Sequence, residues 1–136
     1  MLRFCYAVLC IAVVVVAGAC GDAAPERDLR ELVVRGSTYL APETMAPFSG
    51  RVFRPFPGDS TRTEVEGRLV DGTWHGELVV YHPSGRLRYA GSFAHGEKCG
   101  PWTEGLLDRE PVNLYDELTS DIESMGIYPS CPPDVD

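Results

Sequence analysis

The sequence predicts a mainly β protein: an elongated antiparallel sheet of two to three hairpin repeats, followed by a short C-terminal helix. Three observations carry this. Residues 67–76, GRLVDGTWHG, and 91–100, GSFAHGEKCG, are two copies of one unit 24 positions apart, with Gly67, Gly72 and Gly76 falling on Gly91, Gly96 and Gly100; a fixed period of this length marks a repeat architecture. Between the copies the apolar residues alternate with the two-residue period of a strand that buries one face. After Trp102 the repeat stops, and Leu114, Leu118, Ile122 and Met125 recur at helical spacing.

The N-terminus comes first. Residues 1–19 hold one early positive charge, Arg3, then an unbroken apolar run from Phe4 to Val16 and the small residues Ala17-Gly18-Ala19. That is the layout of a secretory signal, and the run is short for a membrane span. Cys20 follows, and Ala17-Gly18-Ala19-Cys20 resembles the lipobox of bacterial lipoproteins. The resemblance implies that Cys20 becomes the mature N-terminus and carries a diacylglycerol on its sulfur. Ordinary cleavage and an uncleaved anchor are the alternatives. With two or three acyl chains the anchor is stable, since each buried methylene contributes about 0.8 kcal/mol and one chain alone is marginal. Gly21, and no Asp, follows the cysteine. By analogy with lipoproteins, an organism with two membranes then sends the protein to the outer one.

Residues 20–29 are polar with Ala and Pro and read as a tether between lipid and domain. The repeat sheet is expected over 30–103. Residues 30–40 form a first strand pair around Arg35-Gly36, with Leu32, Val33 and Val34 as a β-prone run. Gly50 starts an imperfect first unit: Gly50, Gly76 and Gly100 are spaced 26 and 24 apart, and the two extra residues fit an insertion in the loop Pro57-Gly58-Asp59-Ser60. The middle unit is the clearest. In 77–82 Leu78 and Val80 point one way, Val79 and Tyr81 the other. Pro83-Ser84-Gly85 turns the chain. On the return strand Leu87, Tyr89, Gly91 and Phe93 share one face; Arg86, Arg88, Ala90 and Ser92 share the other. Asp71-Gly72 and His95-Gly96 make the same turn in successive units. Gly67 and Gly91 lie inside strands, where a missing side chain marks a bulge or a closely approaching ring.

Residues 104–136 form an acidic segment with nine carboxylates and one base, Arg109. Within it 114–125 reads as a helix, capped by Asn113 and stopped by Gly126. It is expected to cover the open end of the array, because a terminal repeat has no neighbour over its apolar face. Cys5 and Cys10 leave with the signal and Cys20 is lipidated. Cys99 and Cys131 remain, an even pair in an oxidising compartment. A bridge between them closes a loop of about 30 residues and is worth about 3–4 kcal/mol in the chain-entropy treatment; two unpaired thiols are the alternative.

The stretch DGTWHGELVVYHPSGRLRYAGSFAHGEKCGPW resembles the variant of the MORN repeat found in bacterial proteins of the YwqK-type antitoxin family. Trp74-His75-Gly76 and Cys99-Gly100-Pro101-Trp102 fill the last position of that unit, and MAPFSGRVF resembles the segment that often precedes its first copy. The resemblance covers about residues 32–103. It implies stacked hairpins in an elongated MORN-like sheet and, through the antitoxin label, protein binding.

Arg3 leaves with the signal, so 11 of the 12 basic residues and all 20 acidic ones remain. Nucleic-acid binding needs a basic footprint and is not expected. His75, His82 and His95, with Cys99 nearby, match no zinc spacing, so no metal and no cofactor are expected. Ser84 is a turn serine without a nucleophile setting, so no catalytic residue and no enzymatic activity are expected. Trp74, Tyr81, Arg86, Arg88, Tyr89 and Trp102 are the candidates for partner binding, since exposed aromatics and arginines anchor interfaces; in a small sheet the aromatics can equally be the core. The expected function is that of an envelope lipoprotein whose sheet binds a protein partner, as an antitoxin or immunity-type protein in one version. The alternative is a structural envelope lipoprotein with no dedicated ligand.

Overall fold

The structure, a computed structural model, describes residues 24–105, 108, 113 and 125–135. Ten strands are described: β1 (Glu26–Asp28), β2 (Val33–Arg35), β3 (Thr38–Leu40), β4 (Gly50–Phe56), β5 (Asp59–Val70), β6 (Thr73–Trp74), β7 (Gly76–Tyr81), β8 (Leu87–Ala94), β9 (Glu97–Thr103) and β10 (Met125–Ile127). Eight of them make one elongated sheet in the order β1-β4-β5-β7-β8-β9-β10, with β6 paired to β5; β2 and β3 form a small second sheet. All neighbours run antiparallel except β1, which lies parallel to β4.

The repeat is visible in space. Asp71 and Gly72 have φ 49° and 76°, and His95 and Gly96 have φ 51° and 85°. Two successive positive φ values give the turn whose twist matches that of the flanking strands. Each turn hooks onto the preceding unit: Gly72 N donates to Phe48 O and Gly96 N to Trp74 O, both at 2.8 Å. Val52, Leu78 and Trp102, which follow the 26- and 24-residue spacing, all point into the core. Gly67 and Gly91 lie under aromatic rings, as the sequence suggested: a Cβ on Gly67 would meet Trp74, and one on Gly91 would meet Trp102.

The core has two parts. Leu32, Phe48, Val52 and Leu69 form one; Val65, Leu78 and Trp102 form the other. Leu29 and Trp74 touch both and join them. A chain of ring contacts runs along the sheet from Tyr39 through Trp74, Phe93 and Trp102 to Tyr128, with centroids 5.0–6.3 Å apart.

Four expectations change. Residues 26–28 are an edge strand of the sheet: β1 pairs with β4, and Leu29 opens a short 3-10 turn capped by the Asp28 carboxylate, which accepts from Arg30 N at 2.9 Å. Polar composition hid this, because an edge strand is held by its backbone. The extra residues of the first unit are not in the loop 57–60. They are absorbed within β5, where the register slips from Arg54↔Val65 to Pro55↔Thr63 and then Phe56↔Asp59. Pro55 has no N–H for the ladder, and bulges gather where pairing is interrupted. The sheet is mixed, not wholly antiparallel. The helix expected over 114–125 lies outside the described residues apart from Met125. Met125 and Gly126, read as its last face residue and its stop, belong to β10, in register with Thr103 and Trp102 of β9.

Candidate functional site

Two surfaces collect the residues with chemistry to offer. The first is the outer end of the β7–β8 hairpin. The strands meet as Val80↔Tyr89 and then, after a register shift, Tyr81↔Leu87. His82 and Arg86 close the turn, with His82 N donating to Arg86 O at 2.8 Å and Gly85 N to His82 O at 2.8 Å. Arg62 donates to Pro83 O, and Ser84 Oγ donates to the Asp108 carboxylate. Tyr81, Arg86 and Tyr89 are half-buried and Arg88 is exposed, its guanidinium 5.2 Å from the centroid of the Tyr89 ring. The Tyr81 hydroxyl donates to Glu66 Oε1 at 2.9 Å, and that bond raises its pKa by stabilising the protonated form. Four of the six residues expected to meet a partner thus flank one turn.

The other two are elsewhere. Trp102 is a core residue, 4% exposed, with its indole N–H shared between Ser92 O and Cys99 O. Trp74 bridges the two halves of the core. So small a sheet has few other large side chains to bury, and both tryptophans are spent on it. Cys20 lies outside the described residues.

The second surface is where the C-terminal tail returns to the sheet. Cys99 and Cys131 are joined by a disulfide, with Cα atoms 4.9 Å apart. Gly100 N donates to Pro129 O at 2.7 Å, and Tyr128 N to Gly100 O at 3.1 Å. Glu104 accepts from the Lys98 ammonium and, at 2.7 Å, from the Tyr128 hydroxyl. The Lys98 ammonium also stands 4.4 Å from the Trp102 ring centroid. Lys98 holds the Glu104 carboxyl below its usual pKa, with Tyr128 adding to the effect, and Glu104 holds the Lys98 ammonium above its own.

The tail then reaches the previous unit. His75, the repeat counterpart of Cys99, is buried at 7% exposure, and its Nε2 lies 3.0 Å from Asp134 O. A carbonyl only accepts, so Nε2 carries the proton and Nδ1 keeps its lone pair. Nδ1 is buried with no partner among the described residues. His95 comes alongside, ring centroid 5.1 Å from that of His75, and its Nε2 is 3.5 Å from Asp134 Oδ2. The three histidines match no metal-site spacing in the sequence; the structure brings His75 and His95 together with Asp134 and leaves His82 at the opposite end of the β7–β8 hairpin. No local spacing signals this, because Asp134 is 59 positions from His75. The repeat alignment was the available clue, since it equates His75 with a cysteine that bonds to the same tail.

Beside His75 a groove of about 750 Å³ runs between the far face of the sheet and Asp134-Val135. Arg51 of β4 and Arg68 of β5 line it and face each other in register, with Glu66 and Glu77 close by. Among the described residues no helix is long and apolar enough to cross a membrane. No protein-family model, curated protein or solved structure matches the chain.

Proposed function

We propose that this chain is an exported, lipid-anchored envelope protein that uses a MORN-like sheet as a non-enzymatic binding module for another protein. The observation that carries the binding reading is the β7–β8 hairpin end. Tyr81, Arg86, Arg88 and Tyr89 flank one turn there, with the Arg88 guanidinium 5.2 Å from the Tyr89 ring centroid. Aromatic and arginine side chains together supply most of the energy in protein interfaces. On a chain of net charge −8, the exposed Arg88 suits a partner that presents a carboxylate. Export is supported by the leader, by the lipobox-like Ala17-Gly18-Ala19-Cys20 and by the Cys99–Cys131 bridge, which persists in an oxidising compartment. An immunity or antitoxin role is the version in which the partner is a toxin.

Two measurements test it. Labelled palmitate is expected in the wild type and not in Cys20→Ala; equal labelling removes the lipid anchor. Crosslinking in the envelope followed by capture is expected to give a saturable protein partner, lost in Arg88→Glu. A chain that captures no saturable partner is the structural lipoprotein instead.

A further inference from the structure

We propose that His75, His95 and Asp134 form a binding site for a divalent transition-metal ion of the zinc type, and that the ion fastens the C-terminal tail to the sheet. One ring nitrogen from each histidine and one carboxylate oxygen from Asp134 lie within 4.8 Å of one another. The arrangement of His75 carries the argument. Its Nε2–H is given to the backbone carbonyl of Asp134 at 3.0 Å. That leaves Nδ1 as a buried lone pair with no partner among the described residues. A buried acceptor without a donor has lost its water and gained nothing in exchange. A histidine that donates one ring N–H to a carbonyl and keeps the other nitrogen bare is the arrangement found in metal-ligating histidines, where the carbonyl sets the tautomer and the ring orientation.

The remaining two ligands are placed to adjust. Ligands at about 2.0–2.1 Å from a tetrahedral ion lie about 3.4 Å apart, so the spread of 4.8 Å has to close by a little over an ångström. The side chains of His95, on the Ala94–Glu97 turn, and Asp134, in the tail, are 72% and 56% exposed and can rotate to do so. As an ion pair alone they would contribute little at that exposure. Two imidazoles and one carboxylate suit zinc, with copper as a tighter competitor; magnesium and calcium prefer oxygen ligands. Water would complete the coordination, since three protein ligands leave a position open.

The site repeats a device the chain already uses. Cys99 ties the second unit to the tail covalently at Cys131. His75, in the same place one unit earlier, meets the tail three residues further on, at Asp134. The ion would make a second staple and hold Asp134-Val135 over the groove. This proposal rests on the tail geometry and is independent of the partner at the β7–β8 hairpin.

The test is a zinc titration of the full-length chain, purified in detergent and stripped with a chelator. Isothermal titration is expected to give one saturable site per chain. Zinc, and not magnesium, is expected to raise the melting temperature by several degrees and to slow amide exchange at Asp134 and Val135. His95→Ala and Asp134→Asn each remove one exposed ligand, and are expected to weaken zinc binding at least about tenfold while melting like the wild type in chelator. The absence of saturable zinc binding overturns the proposal. So does equal binding by the wild type and both variants, which would place the ion on the acidic surface. His75→Ala removes a core side chain and is read only where its melting in chelator is cooperative; full zinc affinity in such a variant also overturns the proposal.

Discussion

An alanine at position 91 would place its Cβ 2.2 Å from Cδ2 of Trp102, 2.3 Å from Cε2 and 2.5 Å from Cγ. Carbon atoms in ordinary contact sit about 3.5–4.0 Å apart, so the indole would have to retreat by more than an ångström or the sheet would have to open. Neither is easy. Trp102 is 4% exposed, and its N–H is held by two carbonyls at 3.1 and 3.2 Å. Forcing a methyl into a packed core costs about 1–3 kcal/mol, and losing a buried tryptophan altogether costs about 3–5 kcal/mol. Gly91→Ala falls between the two, at about 3 kcal/mol. Gly67→Ala is the internal comparison. Its nearest contacts are Trp74 Cζ3 at 2.9 Å and Glu77 O at 3.1 Å, a milder intrusion, and it should cost about 1–2 kcal/mol. The assay is urea unfolding of the disulfide-intact chain from Gly21 on, followed by far-UV circular dichroism. With a slope of about 1–3 kcal/mol per molar urea, the Gly91→Ala midpoint should fall by about 1–3 M. A double-mutant cycle isolates the cause: in a Trp102→Leu background Gly91→Ala should cost under about 1 kcal/mol. If Gly91→Ala costs the same in both backgrounds, or less than Gly67→Ala, the fit of glycine under indole is not what position 91 is for.

Three further outcomes are expected. Leu69→Ala empties a site that is 0% exposed and should destabilise by about 3–4 kcal/mol, read from the same urea curves; a loss below about 1 kcal/mol would mean that Leu69 does not seat the first half of the core. Cutting the Cys99–Cys131 bridge, which spans 32 positions, should cost about 3–4 kcal/mol, seen as a lower melting temperature for Cys99→Ser/Cys131→Ser and for wild type in reductant; unchanged melting would rule the bridge out as a stabilising link. The Lys98–Glu104 pair should appear in the pH profile. The Glu104 carboxyl is depressed in the fold, so its contribution is complete above the usual carboxylate range and is lost as pH falls through the lowered value. The Lys98 ammonium is raised, so its contribution is complete below the usual lysine value and is lost as pH rises through the raised one. Glu104→Gln should therefore flatten the acid side of the stability profile and Lys98→Met the alkaline side; profiles parallel to the wild type would mean the pair does not couple to folding.

The hairpins were legible because what makes them is local. Alternation over 77–82 and 86–93 announces a strand with one buried face, and Asp71-Gly72 and His95-Gly96 announce the turns. Gly67 and Gly91 are legible for the same reason: a glycine inside a strand leaves room that something must fill. Elements held by backbone pairing alone were not. β1 reads as a polar tether, and β10 shares its residues with a helical pattern, because an edge strand needs hydrogen bonds from a neighbour and no pattern of its own. The tryptophans show the limit at the level of function. Trp74 and Trp102 match interface anchors as well as core residues, and only packing distinguishes the two.

By itself the sequence determined the period of the sheet, the position of its turns and the cysteines left to pair. Each rests on residue spacing, which a chain carries whether folded or not. The tertiary structure alone decided what the tail does. It folds back along β9 and lays Asp134 between His75 and His95, two residues from successive units with no third copy to reveal their register. Contacts made once, between segments 32 to 59 positions apart, leave no periodic trace, since their energy comes from proximity that only the folded sheet creates.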